Sequence, residues 1–465
     1  MTAYGTPPHI ARCPGPSTAD IIARDGDNAP KHLMEETWVD LGSEDINFDR
    51  YTSQAFFDDE VENMWKRVWQ WACREEDVPE PGDYFVYDVV DHSVLIVRDD
   101  AGQLHAYPNA CLHRGTQLKP SNSCGSSKEL RCPFHGISWK LDGQLGAFPC
   151  SWDFPHVDKQ QWNLPELKLD TWGGFIWINF DQNAAPLQDY LDILPEHFKQ
   201  WDLSNRFVAK HIRKRLPANW KACVEAFLES WHVLETHPQG IATVGDANSQ
   251  YDVYGKHISR FVHLVGFPSP HIDRDMSEQD MLDALFGEGM VDELGDDKAD
   301  KMRVPDGSTA RETFAKHLQK TLGEAYERDF SHLSITETID AIEYFVFPNT
   351  CIFPSLLFPM VYRFRPEGRN PDVSIFDLIF LQPNPESGVI PDPAEPIDLD
   401  VHDSFSQANV LDPGLALIYD QDTGNLEAQQ RGFKSSFKKG QTLGNYQEVR
   451  IRHLHHSVDQ YLDNQ

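Results

Sequence analysis

At 465 residues the chain is about three times an ordinary domain of roughly 150 residues, so two or three hydrophobic cores are expected and a small disulfide scaffold is excluded. Hydrophobic residues at 40% and charged residues at 25% match ordinary globular usage and exclude global disorder. With 73 acidic against 41 basic side chains, the formal net charge of −32 argues against a phosphate-tracking or lipid-adhering surface, so no nucleic-acid partner is expected.

In chain order, residues 1–20 read as a ragged, Pro-rich lead-in without the basic and apolar regions of a secretory signal. Over 49–73, Phe56, Phe57, Val61, Met64, Trp65 and Val68 recur at helical spacing and predict an amphipathic helix. From Gly82 short alternating runs such as YFVYDVV and SVLIVRD, broken by turn residues, predict a small all-β module that continues to GGFIWINF at 173–180. Helical texture returns over 187–201, 220–236 and 309–330, and strand-like runs lie at 256–267 and 339–381. Between them, the acidic stretch 277–309 reads as a solvated insertion or as a lid over an active site. The 19-residue uncharged run from Tyr344 to Tyr362 is interrupted by Pro348, Pro354 and Pro359, which argues for buried strand and against a membrane span. Runs of strands with helices laid across one face predict an α+β fold: a small all-β domain followed by an α+β, helix-grip-like domain with an antiparallel sheet. The expected division is an N-terminal extension at 1–50, the β module with its leading helix at 51–180, and a second domain at 181–465.

Eight cysteines are too few and too irregularly spaced for a disulfide framework, which points to the cytoplasm and to metal binding. The strongest signal is C-L-H at Cys111 and His113, followed after 18 residues by C-P-F-H at Cys132 and His135. A zinc module more often groups cysteine with cysteine and histidine with histidine. Here each segment offers one thiolate and one imidazole, which suits a [2Fe–2S] Rieske cluster with both thiolates on one iron and both imidazoles on the other. Cys124 and Cys150 fall outside the pattern. The segments NACLHRGTQL and RCPFHGISWKLDGQL resemble the Rieske domain of the aromatic-ring-hydroxylating oxygenases, large (alpha) subunit, including Arg114, Gly115, Gly136 and Trp139.

Downstream, NWKACVEAFLESWHVLETHPQ places two histidines and three glutamates on one expected helix. His232 and His237 are five apart, which on a regular helix separates them by about 140°, so a shared metal requires the helix to end or bulge between them. Pro238 disfavours the helical conformation at His237. Glu229, three before His232, lies on its face and can accept the imidazole N–H. A facial triad on Fe(II) needs one carboxylate more. Glu235 lies between the histidines but requires an awkward turn. The resemblance implies instead an aspartate before an Asn-hydrophobic-Glu element, which in Y-D-Q-D-T-G-N-L-E is Asp422, with Asp420 the competitor. It also implies that Glu229 bridges a Rieske histidine to the mononuclear site, although the family usually has Asp there. Glu225, one turn earlier, is the rival for that role. Ala226 replaces a commoner Asn and Trp231 a frequent Tyr.

What the resemblance implies is the terminal oxygenase of a multicomponent system. Electrons from NAD(P)H arrive through a separate reductase, with or without a ferredoxin, and this chain carries no G-x-G-x-x-G nucleotide fingerprint. A homotrimer, with or without a small β subunit, is the expected assembly. Phe227, Phe261, Val262, Leu264, Phe345 and Phe347 flank the metal elements and suggest an apolar or aromatic substrate. Oxidative O- or N-demethylation is the alternative, as is quaternary-ammonium oxidation with Trp231 in a cation cage.

Overall fold

The structure, a computed structural model, describes residues 15–26, 29–272, 275–287, 302–386 and 388–463. The expected helix over 49–73 is divided. Helices Asp49–Thr52 and Gln54–Glu60 run into a π-helical turn, Val61–Trp65, and the chain then extends as β1, Gln70–Arg74. Phe57, Val61, Met64, Trp65 and Val68 are all buried as the periodicity requires. The next segment alternates tryptophan with smaller residues and is buried on both faces of a strand, which suits β1 better than helix.

The β module contains β2 (Asp83–Val89), β3 (His92–Arg98), β4 (Leu104–Pro108), β5 (Cys124–Ser126), β6 (Leu130–Arg131), β7 (Ser138–Trp139), β8 (Lys168–Trp172) and β9 (Phe175–Asn179). Strands β4-β3-β2-β5 form one sheet, β1-β9-β8 a second, and β6-β7 a hairpin-like pair. Val86, Leu95, Tyr107, Leu130 and Trp139 form a small core beneath Cys111 and Cys132.

The remainder is an eight-stranded sheet flanked by helices. Its strands are β10 (Arg206–Leu216), β11 (Gln250–Tyr254), β12 (Ile258–His263), β13 (Ala341–Val346), β14 (Thr350–Ile352), β15 (Met360–Pro366), β16 (Ser374–Pro383) and β17 (Ile397–Leu399), in the spatial order β11-β12-β13-β14-β15-β16-β10-β17. Pairing is antiparallel throughout except between β10 and β17, where it is parallel. The fold is α+β. Six helices matter below: α1 (Trp220–Glu225), α2 (Val233–Thr236), α3 (Ala310–Tyr326), α4 (Pro413–Gly424), α5 (Leu426–Ser435) and α6 (Val449–Leu462). The acidic insertion falls, at 288–301, outside the described residues; its described flanks are the helix Glu278–Gly287 and the Thr309 cap of α3. Among the described residues no helix is long and apolar enough to cross a membrane.

The N-W-K run that opens the second motif is a clamp. Asn219 caps α1, its side chain accepting from the Lys221 N–H at 3.1 Å and donating to the Pro371 carbonyl at 2.9 Å. Trp220 packs edge-on against Trp65, 5.1 Å between centroids, and its indole N–H reaches Glu60 at 3.4 Å. Lys221 Nζ donates to the same carboxylate at 2.6 Å, with both side chains fully buried. This pair fixes α1 to the N-terminal helical segment. Removing one partner of a buried pair leaves an unpaired charge without water, so Lys221→Met is expected to cost about 3–5 kcal/mol in urea unfolding. The double variant Glu60→Leu/Lys221→Met should recover most of it, and equal stabilities for wild type and Lys221→Met would refute the clamp.

Candidate metal centres

The two Cys-His segments fold into matching loops. In the first, the Cys111 N–H donates to the Thr116 carbonyl at 2.8 Å and the Gly115 N–H to the Cys111 carbonyl at 2.9 Å; in the second, Cys132 donates to Ile137 at 2.8 Å and Gly136 to Cys132 at 3.1 Å. Cysteine therefore bonds to the fifth residue on, and accepts from the fourth, in both. Gly115 and Gly136 hold φ near +77° and +73°, a conformation that a Cβ disfavours, whereas a Cβ on Gly115 would meet nothing within 4 Å. The backbone turn is what selects glycine there.

The loops bring the His113 and His135 rings to 4.7 Å between centroids, with the cysteines buried and His135 exposed. Burial raises the Cys111 thiol. At Cys132 burial acts in the same sense, but the N–H groups of Phe134 and His135 outweigh it and hold the thiol below its ordinary value. Two buried sulfurs facing backbone N–H groups, with two imidazoles adjacent, fit the donor set of a Rieske cluster. Cys124 and Cys150 are exposed.

The second centre departs from one continuous helix. α1 ends at Glu225 and tightens into short turns, Phe227 N–H to Val224 O at 2.9 Å and Leu228 N–H to Glu225 O at 3.1 Å. Ser230 holds the break. Its hydroxyl contacts the Asp246 carbonyl at 3.0 Å, Ser249 Oγ at 2.7 Å and Tyr251 Oη at 2.9 Å, and its N–H donates to that same Oη. The chain then re-enters the single-turn helix α2, with His232 at its N-terminal boundary and His237, at φ −124° ahead of Pro238, at its C-terminal boundary. Flanking so short a turn, both rings point to one spot.

That spot is Asp422 on α4. Its Oδ1 lies 2.7 Å from His237 Nε2 and 3.4 Å from His232 Nε2, and the three donor atoms lie within 4.8 Å of one another. The opposite ring nitrogens are engaged elsewhere: His232 Nδ1 donates to Glu229 Oε1 at 2.7 Å and His237 Nδ1 to Gln421 Oε1 at 2.9 Å. Each bond keeps a proton on Nδ1, so that Nε2, once its own proton is displaced, is the lone-pair donor toward a metal. The donor set fits a 2-His-1-carboxylate iron site. Burial opposes ionisation of Asp422, but its bonds to the two histidines hold its carboxyl below the usual range. Burial likewise opposes protonation of His232, and Glu229 and Asp422 outweigh it, raising its pKa to about 10.

The alternatives are engaged elsewhere or face solvent. Asp420 accepts from the Phe405 N–H at 2.9 Å and from the Ser404 hydroxyl, with Lys214 at 3.9 Å. Glu235 is exposed. Glu225 accepts from Tyr51 Oη at 2.7 Å and Gln441 Nε2 at 3.1 Å, and lies 2.8 Å from His455 Nε2.

A cavity of about 190 Å³ adjoins the histidines, lined by Phe227, Phe261, Phe353, Phe358, Met360 and Tyr362 among others. Of the apolar residues expected there, Val262, Leu264, Phe345 and Phe347 are plain core. Alternation along β12 turns Phe261 and His263 to the cavity and Val262 away. Trp231 is 47% exposed and outside the lining, so it forms no cage there. His263 went unrecognised in the sequence, where a lone histidine ending an apolar strand carries no distinguishing pattern. Among the described residues its buried Nε2 has no partner, and burial, then the proximity of His232 and His237, lowers its pKa to about 3. Ser230, Gln421 and Gln239, which donates to Gln421 at 2.8 Å, were likewise silent.

With His232 protonated below about pH 10, a divalent cation must displace that proton. Zn(II) uptake at this site, measured in the metal-free Cys111→Ser/Cys132→Ser chain so that the thiolates do not take the ion, should therefore release a proton at pH 7, and its affinity should rise about tenfold per pH unit. Calorimetry in buffers of different ionisation enthalpy measures both; affinity that is flat from pH 6 to 8 would show that no proton leaves His232 on binding.

Residues 196–464 match the model of the ring hydroxylating alpha subunit (catalytic domain), and residues 68–158 that of the Rieske [2Fe-2S] domain. The glycine betaine monooxygenase oxygenase subunit of Pseudomonas aeruginosa is 30% identical over 194 residues, 42% of this chain and 45% of that protein. The carnitine monooxygenase oxygenase subunit of Acinetobacter pittii is 31% identical over 195 residues, 40% of this chain and 51% of that protein. The chain thus aligns with about half the length of these curated relatives. Among solved structures, a quaternary ammonium Rieske monooxygenase in complex with L-carnitine superposes with a TM-score of 0.62 at 19% identity, covering 90% of this chain and 95% of the other. Naphthalene 1,2-dioxygenase from Rhodococcus sp. bound to indole gives 0.57 at 19% identity, covering 90% and 94%.

Proposed function

We propose, from the premise that this chain belongs to the ring hydroxylating alpha subunit family, that it is the terminal oxygenase component of a multicomponent Rieske non-haem iron system. The observation that carries the reading is the convergence of His232, His237 and Asp422 at an apolar cavity, in a chain that also folds two matching Cys-His loops. The chain divides, on this reading, into an extension at 1–50, a Rieske domain at 51–180 and a catalytic domain at 181–465.

Cys111, Cys132, His113 and His135 would hold the cluster, and His232, His237 and Asp422 the Fe(II). Bound there, the two groups supply single-electron transfer and activation of O₂ for insertion into an organic substrate. The protein's own part is positioning. Glu229 and Gln421 hold the imidazoles in one tautomer. Phe227, Phe261 and Phe353 exclude water and receive an apolar or aromatic substrate. Quaternary-ammonium oxidation is the second reading, favoured by the relatives' substrates and by aromatic faces that include Tyr362 and Tyr419.

The electron donor is a separate NAD(P)H-dependent reductase, with or without a ferredoxin, in the cytoplasm. Copies of the chain associate head to tail as a homotrimer, with or without a small β subunit. Phe134 in the His135 loop, 59% exposed, and Trp152, 80% exposed and two residues before the Phe154 ring that packs against His113, supply an apolar surface for that contact, as do Trp231 and Leu234 beside His232. A fully active monomer in sedimentation would refute it.

Purified protein should hold about three irons and two sulfides per chain, and Cys132→Ser should abolish the sulfide and the visible spectrum. Asp422→Ala should lose one iron and all turnover while Asp420→Ala keeps that iron; the reverse result would transfer the ligand role to Asp420. Glu229→Gln, which keeps a side-chain oxygen facing His232, should retain all three irons and slow turnover by about 10- to 100-fold. Full turnover in this variant would leave Glu229 without a role.

A further inference from the structure

The helix that carries Asp422 also forms a partition. Leu415, Ile418, Tyr419 and Asp422 recur at i, i+3, i+4 and i+7 on α4 and therefore share one stripe. All four line the cavity beside the histidines. Leu415 and Ile418, together with Phe358 and Met360, also line a second cleft of about 290 Å³. The far walls of that cleft come from α3 through Leu318 and Thr321, and from β16 through Phe380 and Gln382. Two cavities thus share a wall of four apolar side chains. Phe358, Leu415 and Ile418 carry no polar group, so a rotamer change of these three breaks no side-chain hydrogen bond, whereas Met360 Sδ accepts from Tyr419 Oη at 3.0 Å and Tyr362 Oη at 3.6 Å. Met360 is unbranched and adapts readily to a new neighbour.

We propose that the second cleft is a subsite for the distal, apolar part of an elongated substrate whose reacting end occupies the cavity at His232 and His237. The proposal rests on the apolar-substrate reading above and extends it: Leu415, Ile418, Phe358 and Met360 set how long a substrate the enzyme accepts. Only these side chains separate the cleft from the metal-side cavity, and this shared wall assigns its occupant. A compound confined to the inner cavity buries one end, whereas one that crosses the partition buries its chain as well, gaining about fourfold in affinity per methylene.

The probes are the ω-phenylalkanols from 2-phenylethanol to 8-phenyloctanol, titrated calorimetrically into the full-length holoprotein. Affinity is expected to climb through the longest members. Thr321→Trp, which fills the cleft from α3 without touching the inner cavity, should leave 2-phenylethanol unaffected and weaken 8-phenyloctanol at least tenfold. Gln382→Trp fills it from β16 and should do the same, which guards against misfolding of either variant. If the long probes gain nothing over the short ones in the wild type, or if both variants weaken every probe alike, the subsite does not exist. Failure of even the short probes to bind would instead overturn the apolar-substrate reading, and the subsite with it.

Discussion

One carboxylate oxygen ties the second half of the molecule together. Asp422 Oδ1 receives His237 Nε2 across 185 positions of sequence and His232 Nε2 close by, so α4 and the α1–α2 segment must be placed to within a fraction of an ångström for the site to exist. Three buried or half-buried polar groups are costly unless each has a partner. Each has two. Glu229 and Gln421 occupy the outward ring nitrogens, and the inward ones face the carboxylate. The geometry of the candidate metal site is therefore held by the protein's own hydrogen bonds, which reduces the reorganisation that metal binding would otherwise require.

The two centres differ in how much of them was legible in the sequence, and the difference is one of contact range. Each Cys-His loop is closed by bonds spanning four or five residues, with glycine at the position that needs positive φ. A local pattern therefore carries a local structure, and spacing alone nominated its four candidate donors. The mononuclear site is assembled from segments nearly two hundred residues apart. Local spacing gave the two histidines and Glu229. It gave no reason to prefer Asp422 over Asp420; that came from resemblance, and side-chain placement distinguishes them only because the helix register is known.

The same contrast explains the misread elements. Periodicity over 220–236 gave a single helix because Ser230, which breaks it, acts through Asp246, Ser249 and Tyr251 on a distant turn. Periodicity over 49–73 overran into β1 because tryptophans at 69 and 71 fit either pattern, and the pairing of β1 with β9 decides it. The buried Asn219-Trp220-Lys221 run was legible as a family motif but its task was not. Its partners Glu60 and Trp65 lie about 160 residues earlier, and a motif read as part of a catalytic helix is, in the fold, the clamp that fixes where that helix begins.

Asp420, which faces away from the histidines, bears on why Asp422 faces them. Successive residues on a helix turn by about 100°, so Asp420 and Asp422 project roughly 160° apart. Asp420 is tied to the Ser404–Phe405 turn and lies near Lys214. At the start of α4, Asp412 caps the helix by accepting from the Gly414 N–H at 2.8 Å and the Leu415 N–H at 3.3 Å, and Pro413 fills the first helical position, where an N–H would go unused. The cap sets the axial register and Asp420 sets the rotation. With both fixed from outside, the opposite stripe of Leu415, Ile418, Tyr419 and Asp422 has no freedom to turn away from the cavity, and the pair of aspartates that looks redundant in the sequence divides into one that aims the helix and one that faces the histidines.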